Sequence, residues 1–362
     1  MQPINRRRFN CAAALTPLVF GAVQSSSVAQ QTDPLRQKIR VGQIGTKHAH
    51  AIGKLQTAIK LSDHFEVLGV VEADPAQRKK VQDTQPFENL AWMTAEQLLE
   101  QRGLQLVLVE TEIDQLLATA EQCLAAGMHI HLDKPAGASL KDFARITKLA
   151  ADKQRMIQMG YMFRSNPAFQ FLFEAAKNGW LGDIFEIHGV ISKQVAINDR
   201  AALARYRGGS MFELGCHLID AAVKLLGKPT AVVAVNRHTH PEVDPLNDNC
   251  LAVFHYPKAT ATIRSSLVEV EGNRRRQFSV CGTQGTIEIE PLEPPHLTLT
   301  LDRPQGKFRQ GTQVVELATM GGRYDRCLLD FAAAIRGERD YGYSLEHDLV
   351  VQACVLQASE ME

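Results

Sequence analysis

The run LQLVLVETEIDQLLATAEQCLAAGMHIHLDKPAG, Leu104 to Gly137, contains a strand, a helix and a second strand. LQLVLVE is apolar on both of its alternating faces, as a strand covered on both sides must be. DQLLATAEQCLAAG keeps helical spacing until Gly127 stops it, and MHIHLD then returns to strand character. Two strands joined by a helix of this length lie parallel, with a right-handed crossover. The second strand ends in Asp133-Lys134-Pro135. That tripeptide is either a solvated surface turn or a strand end that delivers an ammonium group into a cleft.

The same alternation extends outward from this run. IRVGQI from Ile39 reads as a strand, the spacing HAIGKLQTAIKL as a helix, and FEVLGVVE as a second strand with a helix from about Pro75. AEQLLEQ is a short helix. SLKDFARITKLAADKQ and RMIQMGY continue the pattern as helix and strand. Residues 38–160 therefore form a doubly wound parallel sheet. After Tyr161 the pattern changes. Helical segments near 167–178 and 210–226 flank the strand-like IFEIHGVISKQVAI. Strand-like runs then follow closely: AVVAVNRH, CLAVFHY, ATATIRSSLVEV, RQFSVCG, GTIEIE and HLTLTLD. Their short links suit antiparallel hairpins. The expectation is an α+β domain over 161–345, built on a large, mostly antiparallel open sheet with flanking helices, and a C-terminal amphipathic helix over 346–362.

The 362 residues carry 40 basic and 40 acidic side chains. Zero net charge gives no general electrostatic attraction to nucleic acid or to anionic membrane. No apolar run reaches the length of a membrane span. The N-terminus, NRRRFNCAAALTPLVFGAVQSSSVAQQ, places Arg6-Arg7-Arg8-Phe9 ahead of a short apolar stretch and small residues ending at Ala29. It resembles a twin-arginine export signal over about 1–30, which implies a periplasmic protein exported already folded. Of seven cysteines, one lies in that segment and the other six are scattered without Cys-x-x-Cys spacing. We expect no disulfide and no cysteine-based metal site. His48 and His50 lack an accompanying acid or cysteine at ligand spacing, so no metal is expected there either.

The first strand runs into GTKHAH, Gly45 to His50. A dinucleotide loop needs backbone amides facing a pyrophosphate at a helix N-terminus. The pattern Gly-x-Gly-x-x-Gly would fall on Gly45, Lys47 and His50, and only the first is glycine. Lys47 either supplies charge to phosphate or obstructs it. The second strand ends in Glu72, where an acid can bind both hydroxyls of an adenosine ribose and repel a 2′-phosphate. That favours NAD over NADP, held by Gly45, Thr46, Lys47, His48 and Glu72.

AAGMHIHLDKPAGASLKDFARITKLAADKQRMIQMGYMFRSNPAF resembles the Gfo/Idh/MocA family of sugar and cyclitol oxidoreductases. The resemblance spans about residues 39 to 355. It implies a Rossmann domain followed by a substrate and oligomerisation domain. In the family the corresponding strand ends in Glu-Lys-Pro, often with a cis Lys-Pro peptide, and its lysine lies between nicotinamide and substrate. Here the residues are Asp133-Lys134-Pro135. The family's Asp-x-x-x-His corresponds to Glu213 and His217 in RGGSMFELGCHLID, four apart and so on one helical face. Ser210 and Glu213 also fit a capping box, which would give Glu213 a purely structural task. Tyr161, Arg164 and Asn166 match a segment that lines the substrate cleft, although Arg164 could instead tie the domains together through backbone carbonyls. Where the family shows Thr-Pro-Asn, this chain has Thr111-Glu112-Ile113 behind Glu110.

The resemblance implies hydride transfer between tightly held NAD and a secondary alcohol of a sugar, cyclitol or related polyol. His217 would be the general base, Lys134 the group that stabilises charge on the reacting oxygen, and Glu213 their support. Thr111 and Asp133 would lie beside the cofactor. Two other classes stay open at this level: an NAD-dependent glycoside hydrolase without net redox change, and a non-catalytic sugar or nucleotide binder. The small-molecule partner would be a carbohydrate, and the open sheet would pair in a dimer or tetramer.

Overall fold

Strand β1 (Ile39–Ile44) is buried along almost its whole length, as a central strand must be. In the computed structural model, which describes residues 37–361 apart from His48, Arg205 and Tyr206, it lies between β2 (Phe65–Val71) and β4 (Leu106–Val109). The export signal expected at 1–30 and the cofactor candidate His48 lie outside the described residues. The first sheet has six parallel strands in the order β3-β2-β1-β4-β5-β6, with β3 at Trp92–Met93, β5 at His129–Leu132 and β6 at Ile157–Met159. Strand order reverses between β1 and β4, so a crevice opens at their carboxyl ends.

The crossover helices are α1 (Ala49–Lys60), α2 (Pro75–Val81), α3 (Ala95–Leu99), α4 (Ile113–Ala125) and α5 (Leu140–Asp152). Local chemistry sets their starts. Asp74 accepts from two amides of α2, Thr94 forms a capping box on α3, and Ser139 caps α5.

The second sheet has eight strands, ordered β14-β13-β12-β11-β7-β10-β9-β8. They are β7 (Ile184–Ser192), β8 (Ala231–Arg237), β9 (Asn249–His255), β10 (Thr260–Ser266), β11 (Gln277–Gly282), β12 (Gly285–Leu292), β13 (Pro295–Leu301) and β14 (Gly311–Val314). All pairs are antiparallel except β7 with β10. One face buries Ile187, Ile263, Phe278, Ile287 and Leu299 beneath α6 (Pro167–Lys177) and α8 (Cys216–Leu226). The other face leaves Val233, Val235 and Val314 exposed.

Three helices depart from the sequence expectation. IFEIHGVISKQVAI leaves the sheet after Ser192, and α7 (Ile197–Ala204) follows. Helix α9 (Asp325–Ile335) returns to the first sheet, where Leu328, Phe331 and Ala332 pack with Ile39, Phe65 and Leu106. The sequence predicts an amphipathic last helix. In the fold α10 (Leu345–Ala358) is packed against α5, α8 and β8, so its apolar residues are not confined to one stripe.

Arg164, just after the first sheet, fixes how these parts meet. Its guanidinium donates to Asp220 on α8 from Nε at 3.0 Å and Nη2 at 2.6 Å, and to Asp348 on α10 at 2.5 Å. All three side chains are buried. The ring of Tyr343 covers the guanidinium, 3.9 Å from Cζ to the ring centroid. Arg164 does tie parts of the chain together, through carboxylates rather than the backbone carbonyls expected. Among the described residues, Asp220, His347 and Asp348 lie close enough to hold a cation, and Arg164 supplies that charge. Arg164→Met would strand two buried acids and should cost roughly 3–5 kcal/mol of stability. Urea unfolding checks this; a loss within about 0.5 kcal/mol, the range of a surface substitution, would refute it.

Candidate active site

Lys134 sits just beyond the end of β5, with a cis peptide to Pro135. Its side chain is buried, which excludes the solvated-turn reading. Nζ donates to the carbonyl of Glu213 at 2.5 Å and lies 3.9 Å from the Glu213 carboxylate. Burial works to lower its pKa, but electrostatic interaction with Cys216, with the carboxylate of Glu213 and with that of Asp133 outweighs it, so the amine is held above its ordinary value. It is an ammonium group at neutral pH.

Glu213 lies in a π-helical turn, Met211–Gly215, that leads into α8. The capping box expected at Ser210 does not form. Ser210 has helical backbone angles, and its hydroxyl donates to the carbonyl of Ser265. Glu213 is instead shared by two lysines, since Lys193 at the end of β7 reaches it at 3.2 Å. Burial pushes this carboxyl up, but Lys134 and Lys193 prevail and hold it below the usual range.

His217, one turn on, is buried between the edges of the Tyr161 and Phe163 rings, with centroids 6.0 and 5.8 Å away. Its Nδ1 has no hydrogen-bond partner among the described residues. Burial first, then the positive charges of Lys134, His50 and Arg323, hold it well below the ordinary histidine range. The imidazole is neutral, with Nδ1 open to a hydrogen bond, and the same surroundings oppose its protonation. The fold thus brings Lys134, Glu213, His217 and Tyr161 together. It turns Arg164 into the ion cluster described above, while Asn166 caps α6 and donates to the carbonyl of Leu292.

On the cofactor side, Gly45 has φ of +100°, and a Cβ there would lie 2.3 Å from the carbonyl oxygen of Glu110. The glycine is required because β1 ends against the end of β4. Glu72 accepts from the Thr46 amide at 3.1 Å, the Thr46 hydroxyl at 2.6 Å and the Asp74 amide at 3.0 Å. Lys47 bridges Glu112 at 3.0 Å and Asp74 at 3.3 Å across the crevice mouth. Thr111 Oγ1 is buried without a hydrogen-bond partner among the described residues. The donor set is compatible with a dinucleotide: an acid, Glu72, follows β2, and Thr111 at the end of β4 has a hydroxyl without a partner among the described residues.

Sequence reasoning missed Lys54. From α1 its buried Nζ reaches Glu110 at 2.8 Å and Asp133 at 2.7 Å, while His50, one turn earlier, lies 3.3 Å from Asp133. Asp133 is therefore committed to Lys54. The available signal was a lysine one turn from His50 on the face of α1 that meets two acid-ended strands. Burial pushes Lys54 down, but Asp133 and Glu110 raise it. Burial and the Asp133 charge, working against Lys54, push Glu110 up to about 8. Folded Glu110 thus keeps its proton at pH values where the unfolded chain has lost it, so its contribution to stability falls as pH rises from about 4.5 to about 8. Glu110→Gln should flatten that decline. Urea unfolding at both ends of the window tests it, and an unchanged slope would contradict the assignment.

Comparison with known proteins bears on the fold and the family. Residues 39–161 match the oxidoreductase family with NAD-binding Rossmann fold, and residues 169–288 match the GFO/IDH/MocA C-terminal domain. A dTDP-3,4-didehydro-2,6-dideoxy-alpha-D-glucose 3-reductase of Streptomyces violaceoruber is 27% identical, over 77% of this chain and 81% of its own. A trans-1,2-dihydrobenzene-1,2-diol dehydrogenase of Sus scrofa is 24% identical, over 64% of this chain and 68% of its own. Among solved structures, an oxidoreductase from Agrobacterium radiobacter in complex with NAD+, L-tartaric acid and magnesium superposes with a TM-score of 0.76. It is 17% identical, and the match covers 90% of this chain and 96% of that one. UDP-N-acetylglucosamine 3-dehydrogenase from Acidithiobacillus ferrooxidans gives 0.74 at 18% identity, covering 90% and 98%. Two successive matched domains, together covering most of the chain, make this chain a member of the GFO/IDH/MocA family of NAD-binding oxidoreductases.

Proposed function

We propose that this enzyme oxidises or reduces at a secondary alcohol carbon of a sugar, cyclitol or related polyol, with NAD as hydride partner. The observation that carries the reading is the meeting of the Lys134 ammonium, the Glu213 carboxylate and the neutral His217 imidazole. Bound in the crevice, the nicotinamide supplies the hydride chemistry; the side chains handle the alcohol's oxygen and proton. In the oxidative direction His217 Nδ1 accepts the hydroxyl proton, which its missing partner leaves it free to do. Lys134 donates to the same oxygen and stabilises negative charge developing there. Glu213, held between Lys134 and Lys193, keeps the ammonium aimed and charged. Burial excludes water and strengthens these interactions. The dTDP-sugar reductase and the diol dehydrogenase among the relatives support an alcohol or ketone carbon as the reacting centre.

The test is turnover with a panel of polyols and aryl glycosides, following NADH and aglycone separately. NADH formation supports the proposal, whereas aglycone release without NADH would replace it with a glycosidase. Lys134→Met should lower kcat by about a hundredfold or more, the scale for losing one charge-assisted contact in a dry site. His217→Ala should also slow turnover, and the double variant should fall short of the product of the two effects. Parent-rate turnover by Lys134→Met would refute the assignment.

Glu72 makes NAD the preferred cofactor, since its carboxylate would face a 2′-phosphate. Glu72→Ser should narrow the preference, read as the ratio of the two dissociation constants by fluorescence titration. Equal binding of NAD and NADP by the parent protein would remove Glu72 from this role.

A further inference from the structure

The second domain surrounds Glu213 and His217 with more positive charge than hydride transfer to a neutral sugar requires. Lys193, at the end of β7, is bound to Glu213. The carbonyl of Ser192, the residue before Lys193, accepts from Nε of Arg276 at 3.0 Å, and the charge of Glu213 acts on that guanidinium. Arg276 and Arg323 then share a single acid, Glu293, at 3.7 and 3.2 Å. Arg323 also touches Met162 of the turn that follows Tyr161, and its charge acts on His217. Lys134, Lys193, Arg276 and Arg323 are thus four cations balanced by two carboxylates, Glu213 and Glu293. The nearby Glu269 does not reduce the excess, because Arg275 takes it at 2.5 and 3.1 Å. Asp325 is likewise taken by Lys60.

The cluster is graded by depth. Side-chain exposure rises from 3% at Lys134 to 12% at Arg276, 29% at Lys193 and 45% at Arg323. The two deeper cations match the two carboxylates in number, so the excess lies with Lys193 and Arg323 at the partly exposed rim, where an anion can enter and pair with it. Glu72, Glu110 and Asp133, at the strand ends of the first sheet, are bonded to Thr46 or Lys54; of the three only Asp133 also acts on Lys134, and none reaches the cations at the rim. Guanidinium pairs are suited to a carboxylate, which they bind through parallel N–H donors.

Resting on the reading of this cleft as the substrate site, we propose that the substrate is a polyhydroxy carboxylic acid, a uronate or an aldonate, rather than a neutral sugar. Its carboxylate is held by Lys193, Arg276 and Arg323, which leaves a hydroxyl for Lys134 and His217. The rim cations also draw the anion in, an effect that salt suppresses.

Calorimetric titration of the NAD-saturated protein with D-glucuronate and D-gluconate, against D-glucose and D-glucitol, tests this without requiring turnover. At least one acid should bind at least tenfold tighter than its neutral counterpart, and the advantage should shrink as salt rises. Arg276→Met and the more exposed Arg323→Met should each weaken acid binding about tenfold, the loss of one charge-assisted hydrogen bond, and leave neutral binding unchanged. Neutral ligands binding as tightly as the acids, or no acid binding at millimolar concentration, overturns the proposal. Acid binding without any hydride transfer would sustain it while removing the dehydrogenase reading, and turnover confined to neutral polyols would do the reverse.

Discussion

Lys54 holds the cofactor side of the molecule in place. Its ammonium joins α1 to the ends of β4 and β5 through Glu110 and Asp133, with almost no water access to any of the three. Such a cluster is costly to assemble, and removing one member leaves charge stranded, typically at about 3–5 kcal/mol. Its geometry has a consequence next door. Asp133 precedes Lys134, so fixing the carboxylate fixes where the strand ends and the catalytic candidate begins. Gly45 belongs to the same arrangement, since β1 can approach Glu110 only where no side chain intervenes.

A second junction is built on Glu213. The π turn before α8 adds a residue to the helical turn and brings this carboxylate between a lysine from each sheet domain. Helical irregularities of this kind commonly mark functional sites. Here the consequence is concrete: the acid that the sequence could also read as a helix cap is spent on the cleft. His217 follows on the regular helix, wedged between aromatic edges that leave one nitrogen unused.

Arg164 shows how the two domains become one body. Its ion cluster joins the segment after β6 to α8 and α10, while α9 carries the chain back onto the first sheet. The cleft between the domains is therefore walled by elements that are distant in sequence. The cations of the second domain reach it from β7, from the start of β11 and from the segment before α9.

The amino-acid sequence determined the layer order. Apolar runs covered on both faces, separated by helices of crossover length, permit little besides a parallel doubly wound sheet, and closely spaced alternating runs permit little besides hairpins. The family resemblance made Lys134 and His217 candidates, because a lysine followed by proline at a strand end and the Glu-x-x-x-His spacing are visible in one dimension. Lys193, Arg276 and Arg323 were not visible, and Lys54 carried only a weak signal, since each acquires its partner from elsewhere along the chain. Only the tertiary structure decided that Glu213 leaves its cap, that Arg164 faces acids rather than a ligand, and that four cations converge on two carboxylates. Charge pairing acts across space, and periodicity along the chain records burial but not the partner that burial supplies.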